Sequence, residues 1–233
     1  MKNIFKKMYI KTAMRQLNSN NAQFNNMVNE NCIMVDVHDN ILGSISKMNC
    51  HMAKSNKLHR AFSLFLFDEN NKMLLQQRSY EKITFPGMYS NTICSHPLYN
   101  FNESEGIEGV KKAAIRRLND ELGIQEIETQ DLIFVTRIIY SAVSCDNWCE
   151  NELDYVLLCK KNVSIHPNLN EVSGFEFVDD SRLKEMIERK KYTFSPWFKL
   201  LLEQEHIKNW WNYILTNNMK TIKQHQEKIF NYY

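Results

Sequence analysis

Glycine and proline are scarce in this chain, at 6 and 4 of 233 residues. That scarcity excludes collagen-like repeats and Pro/Gly-rich disordered tracts. Long hydrophobic runs are missing too. The longest, Ala61 to Phe67, contains Ser63 and stops at Asp68, far short of the ~20 apolar residues of a membrane span. A soluble protein without membrane insertion is expected. Six cysteines stand at 32, 50, 94, 145, 149 and 159. Charges interrupt the early apolar residues, so no secretory signal is read, and reduced thiols are expected rather than disulfides. Cys145-x3-Cys149 has no second close pair to complete it, which argues against a structural zinc site.

Acidic residues are absent from the first 29 positions, which carry Lys2, Lys6, Lys7, Lys11 and Arg15. The whole chain is +2, too small an excess to imply nucleic acid as a partner. Residues 1–29 are therefore set apart as a basic extension. The segment is either a solvated tail, in a cytoplasmic protein, or a mitochondrial or plastid transit segment. Residues 30–233 are taken as one domain. Apolar residues make up 43% and charged residues 24%, enough for a sizeable core.

The Asn-rich stretch 18–31 reads as loop. Cys32–Val37 reads as a strand closed by a turn at Asp39-Asn40. Ala61–Phe67 and Lys72–Gln77 read as strands joined by the hairpin sequence Asp68-Glu69-Asn70-Asn71. Gly106 to Leu122 has helical spacing, with Gly123 placed to end it. Leu132–Tyr140 and Glu152–Cys159 read as strands, and Asp180–Lys190 as a helix capped by Asp180 or Ser181. Trp197 to Trp211 reads as one long amphipathic helix, followed by a polar, partly helical tail over 212–233. Strands around one helix, with more helix at the C-terminal end, predict a single α/β (α+β) sandwich.

Several groups carry chemistry. In an extended Asn91–Pro97 segment, Cys94 and His96 project to the same side. Beside a His and a cation, such a Cys is either a thiolate acting as nucleophile or base, or an inert core thiol. If Glu150-Asn151-Glu152 begins a strand, its carboxylates share one face, where they repel or share a metal. With His51, His59 and His96 they form a ligand set suited to octahedral Mn, Mg or Zn. Arg117 and Glu121 lie one helical turn apart, either as an ion pair or with the acid holding Mg on a diphosphate. Lys47, Arg78 and Lys82 are either surface charges or convergent on an anion.

These residues occur within Asn49-Cys50-His51, Leu58–Ser63, Leu74–Ser79, Lys82–Gly87, Asn91–Pro97, Arg116–Gly123, Trp148–Tyr155 and Thr193–Phe198. In that order, from about residue 30 to Trp210-Trp211, they resemble the type 1 isopentenyl-diphosphate delta-isomerases of the Nudix superfamily. The resemblance implies a Nudix-type mixed β-sheet sandwich flanked by helices, with extra C-terminal helices. It implies isomerisation of isopentenyl diphosphate to dimethylallyl diphosphate by a small-molecule enzyme, taken as a monomer. Cys94 and Glu152 match the catalytic acid/base pair, and Tyr140 a tyrosine that hydrogen-bonds the acid. His51, His59, His96, Glu150 and Glu152 match the ligands of a divalent metal (Mg, Mn or Zn). Glu121 matches the ligand of a Mg2+ bridging the diphosphate. Lys47, Arg78, Lys82 and Arg117, with Ser95, match its anion-binding groups, and Trp197 an aromatic facing the isoprenoid tail.

Two other readings share the fold. A Nudix hydrolase of a small diphosphate would carry Glu at position 117, where this chain has Arg. A catalytically silent isoprenoid-diphosphate-binding relative would not need Cys94, Glu152 and all three histidines together.

Overall fold

The computed structural model describes residues 22–145 and 147–233. Of the predicted transit or tail segment over 1–29, residues 1–21 lie outside the described residues. Helix α1 (Ala22–Asn29) leads into the antiparallel pair β1 (Asn31–Val35) and β2 (Ile41–Ser46), and the short helix α2 (Lys47–His51) follows. Next come β3 (His59–Phe67), β4 (Met73–Arg78), β5 (Tyr89–Ser90), β6 (Ile93–Ser95) and α3 (Gly106–Leu122). The long strands β7 (Ile133–Cys145) and β8 (Trp148–Lys160) pair antiparallel, and β9 (Val172–Val178) follows. Helices α4 (Asp180–Glu188), α5 (Pro196–Glu203), α6 (His206–Thr216) and α7 (Met219–His225) precede a last strand, β10 (Ile229–Asn231).

Strand β3 organises one mixed sheet. Along one edge it pairs in parallel with β8, from His59↔Glu152 to Phe67↔Lys160. Along the other it meets β1 at Met34↔His59, β6 at Phe62↔Ser95 and β4 at Phe67↔Met73. Every residue of β3 is buried, as expected of a strand covered on both faces. Its alternation divides the core. Phe62, Leu64 and Leu66 pack with Val110, Ala113, Ala114 and Leu118 of α3. Phe65 and Phe67 pack on the opposite side with Trp197, Phe198, Trp210 and Trp211 of α5 and α6. Fully burying such a side chain contributes about 1.5–3 kcal/mol. The result is the predicted sandwich of sheet between helices.

The hairpin at 68–71 forms as predicted, with Asp68 N–H donating to Lys72 O at 3.0 Å. Helix α3 spans the predicted residues, and Gly123 ends it at φ 65. A Cβ there would lie 2.7 Å from His166 O, so glycine serves both the left-handed turn and the close approach.

Other expectations are corrected. The supposed loop over 18–31 contains α1, whose buried Gln23 and Met27 anchor it, and the start of β1. The 180–188 helix is capped by Asp179, not Asp180 or Ser181: its side chain accepts from Arg182 N at 2.8 Å. The predicted helix from Trp197 to Trp211 is two helices. The chain turns at Gln204-Glu205, where Glu205 adopts φ 56. The 212–233 tail contributes β10, parallel to β7 at Phe230↔Ile138, which periodicity over three residues does not reveal. Among the described residues no helix is long and apolar enough to cross a membrane.

Candidate active site

Helix α2 and strands β3, β6 and β8 bring the three histidines and two glutamates together. Ser46 caps α2, accepting from Asn49 N–H at 3.3 Å, and the helix ends with His51 aimed back at β8. His59 and Glu152 are register partners across the parallel β3–β8 ladder. Glu150 and Glu152, two apart on β8, share a face as predicted. The imidazole centroids lie 4.8–5.0 Å apart. Ligand atoms of His51, His59, His96, Glu150 and Glu152 all lie within 4.8 Å of one another.

The donors have the polarity a cation needs. His51 Nδ1 donates to Lys47 O at 2.7 Å and His59 Nδ1 to Lys57 O at 2.8 Å. Their Nε2 atoms therefore point inward. His59 Nε2 is buried without a hydrogen-bond partner, an arrangement a bound cation relieves. Glu150 Oε2 lies 2.9 Å from His51 Nε2, and His96 Nε2 lies 2.7 Å from Glu152 Oε1. The residues fit a divalent metal of the N/O-preferring kind.

Electrostatics separates the two carboxyls. Burial works against the charge of both. His51 nonetheless holds Glu150 down at about 2, whereas burial and the Glu150 charge push Glu152 well above the usual range. Burial, with His51 beside it, holds His59 down at about 3 and so neutral. Tyr140 donates to Glu152 Oε2.

Cys94 is half-buried on β6, where it pairs with Ser63 of β3. Its thiol donates to Asn91 Oδ1 at 2.9 Å, and Trp197 Nε1–H donates to its sulfur at 3.0 Å. Ser90 Oγ lies 3.3 Å away. Loss of surrounding water pushes the thiol up to about 12, against the Ser90 hydrogen bond and the Arg78 charge. Of the two states the sequence left open for this residue, the environment favours the thiol over the thiolate.

All the predicted site residues except His59 and Glu121 line one cavity of about 50 Å³. Glu121 is buried on α3 and stands apart from the metal group. Its Oε1 takes Arg117 at 2.7 Å, and its Oε2 has only a long contact, 3.5 Å, from Gln76. The Arg117–Glu121 pair is buried rather than solvated. Arg78 donates to Thr84 O at 2.8 Å and Phe85 O at 3.1 Å, and its guanidinium lies 5.3 Å from the Trp197 ring centre. Lys47 pairs with Glu30 at 2.6 Å, and Lys82 with Glu171.

Several cavity residues escaped the sequence reading. Asn91 receives both the Cys94 thiol and the Trp197 indole N–H, the latter at 3.2 Å. It opens the Asn91–Pro97 segment, but nothing in its spacing marks it as the acceptor. Gln23, Asn26 and Met27 of α1 also line the cavity. Glu171 is 89 residues from Lys82 in sequence, so no local pattern pairs them.

Comparison with known proteins agrees with this geometry. A NUDIX domain model matches residues 57–198. The chain is 42% identical over 208 residues to isopentenyl-diphosphate Delta-isomerase 1 of Mesocricetus auratus, covering 85% of this chain and 90% of that protein. It is 47% identical over 195 residues to the isopentenyl-diphosphate delta-isomerase of Schizosaccharomyces pombe, covering 79% and 85%. In fold it is similar to the crystal structure of DR0079 from Deinococcus radiodurans, with TM-score 0.52 and 16% identity over 75% of this chain and 98% of that one. A cage of imidazoles and carboxylates beside a shielded thiol, on a NUDIX domain with close relatives of one activity, makes this chain a member of the isopentenyl-diphosphate delta-isomerase family.

Proposed function

We propose that the protein interconverts isopentenyl diphosphate and dimethylallyl diphosphate, with Cys94 and Glu152 moving the two protons. The observation that carries this reading is the convergence on one cavity of a thiol, four basic side chains and all but His59 of a five-donor cage that includes the Glu152 carboxyl. The alkene is unactivated. It must gain a proton at C4, giving a tertiary cation at C3, and lose one from C2. The double bond thereby moves, and no atom is lost or gained overall. Two acid/base groups are needed. Cys94 and Glu152 stand on β6 and β8, the strands flanking β3, and both face the cavity. In the reverse direction they exchange roles.

Around them each residue has a task. Tyr140 holds the Glu152 carboxyl in one orientation through its hydroxyl. Trp197 fixes the sulfur through its indole N–H, and with Tyr140, 6.2 Å away between ring centres, it lines the cavity with aromatic surface. That surface keeps water from trapping the cation as an alcohol, and cation–π attraction is worth about 1–2 kcal/mol when desolvated. Lys47, Arg78, Lys82 and Arg117, with Ser95, hold the diphosphate, because the five-carbon tail offers too little apolar surface to bind tightly alone.

His51, His59, His96, Glu150 and Glu152 would hold a divalent cation of the Mg, Mn or Zn class, which would lower the proton affinity of the cage carboxyls. Glu121, with Oε2 nearly unengaged, would be the protein ligand of a Mg2+ carried on the diphosphate. Arg117, at the place a Nudix hydrolase keeps a glutamate, favours isomerisation over hydrolysis.

The test is to incubate the metal-loaded protein with isopentenyl diphosphate in deuterated water. Formation of deuterium-labelled dimethylallyl diphosphate is expected. Inorganic phosphate in place of that product would contradict the reading.

A further inference from the structure

The basic side chains of the cavity are not waiting as free charges. Lys47 is paired with Glu30, Lys82 with Glu171, and Arg117 with both Glu121 and Glu171, the last at 3.4 Å. Arg78 is satisfied by carbonyl groups. An incoming diphosphate must therefore compete with carboxylates already in place.

Glu171 differs from the other acids. Glu121 lies one helical turn from Arg117 and does not line the cavity, and Glu30 engages one cation at the start of the sheet. Glu171 lines the cavity, is 5% exposed, and bridges two cations supplied by separate elements. Its backbone is fixed, donating to Asn168 O and accepting from Ser79 N, each at 2.9 Å. Burial opposes its charge, yet Lys82 and Arg117 together hold its carboxyl well below the usual range. It is an anion built into the anion site.

On the reading that a diphosphate occupies this cavity, we propose that Glu171 is an internal competitor for it: the carboxylate holds Lys82 and Arg117 until diphosphate displaces it, and returns as product leaves. A diphosphate brings more charge and more acceptor oxygens than a carboxylate, so it wins both cations. The displaced carboxylate stays nearby and repels it. This trims an affinity that serves no chemical step. Substrate, transition state and product carry the same diphosphate, and binding all three equally does not accelerate the reaction.

The test is calorimetric titration of the metal-loaded protein with inorganic diphosphate, comparing wild type with Glu171→Gln. The variant is expected to bind at least about tenfold more tightly, and its kcat and KM for isopentenyl diphosphate are expected to fall together as release slows. Equal or weaker binding by the variant overturns the proposal, because Glu171 then only scaffolds the cations. A structure of the wild-type protein with inorganic diphosphate decides the matter if the variant does not fold. The Glu171 carboxylate should have left Lys82 Nζ, with a phosphate oxygen in its place; a retained pair overturns the proposal. If inorganic diphosphate binds neither protein, the diphosphate reading itself falls. If it binds both alike, only the role of Glu171 falls.

Discussion

His59 and Glu152 face each other across the parallel β3–β8 ladder with His59 Nε2 3.8 Å from Glu152 Oε1, and that nitrogen has no hydrogen-bond partner. Backbone register therefore brings a histidine from one strand and a glutamate from another, 93 positions further on, to one point. A buried, neutral imidazole aimed at a carboxylate pair is costly unless something binds there. A metal bound only by the folded state stabilises it, by about 2.7 kcal/mol at a hundredfold excess over its dissociation constant. For a chain of this size that corresponds to a melting temperature higher by about 5–10 °C. Chelation should lower the melting temperature by this amount, readdition of Mn or Mg should restore it, and His59→Ala should abolish the difference. A melt indifferent to chelator would contradict the cage assignment.

Trp197→Phe keeps an aromatic ring but removes the N–H that reaches both Cys94 Sγ and Asn91 Oδ1. The thiol then loses the donor that fixes its sulfur. Turnover should fall about tenfold, equivalent to about 1.4 kcal/mol in the barrier, with little change in the melt. Steady-state kinetics beside a thermal scan checks this, and an unchanged kcat would remove Trp197 from the positioning of Cys94.

Gly109 gives a prediction whose sign is opposite to the usual one. Alanine normally stabilises a helix interior over glycine by about 1 kcal/mol. Here a Cβ would lie 2.4 Å from Glu103 O, and backbone cannot yield as a flexible side chain does. Glu103 holds Arg116 through two hydrogen bonds, of 2.7 and 2.9 Å, and Arg116 reaches His96 O at 3.3 Å. Gly109→Ala should cost about 1–3 kcal/mol in a urea titration and weaken metal retention through His96. Stabilisation by the substitution would show that this contact relaxes freely.

What was legible in the sequence is what local physics encodes. Helix α3 carried its apolar period and its terminating Gly123, and the 68–71 hairpin carried its turn residues. Elements without such marks were missed. The break at Gln204-Glu205 is invisible because Leu201, Ile207 and Trp210 are all buried on either side of it, and no glycine announces the left-handed Glu205. The Asn-rich composition hid α1, and β10 is too short to show a period. At the site, the residue types and their order were readable, and the fold brings all but Glu121 to the cage or the cavity wall. Glu171 and Asn91 were not readable. Their roles arise from contacts made only once β4, β6, β9 and α5 have packed together.

The central claim is that one thiol and one carboxyl carry the two proton transfers. The most direct measurement is deuterium incorporation from deuterated water into dimethylallyl diphosphate by metal-loaded Cys94→Ala, Glu152→Gln and Cys149→Ala proteins. The first two should each lose about 10²–10⁴-fold or more of the wild-type rate, while Cys94→Ala retains its metal. Cys149→Ala, whose thiol is turned toward Asn56 at 3.1 Å, should remain close to wild type. Exchange by Cys94→Ala at the rate of Cys149→Ala would contradict the account.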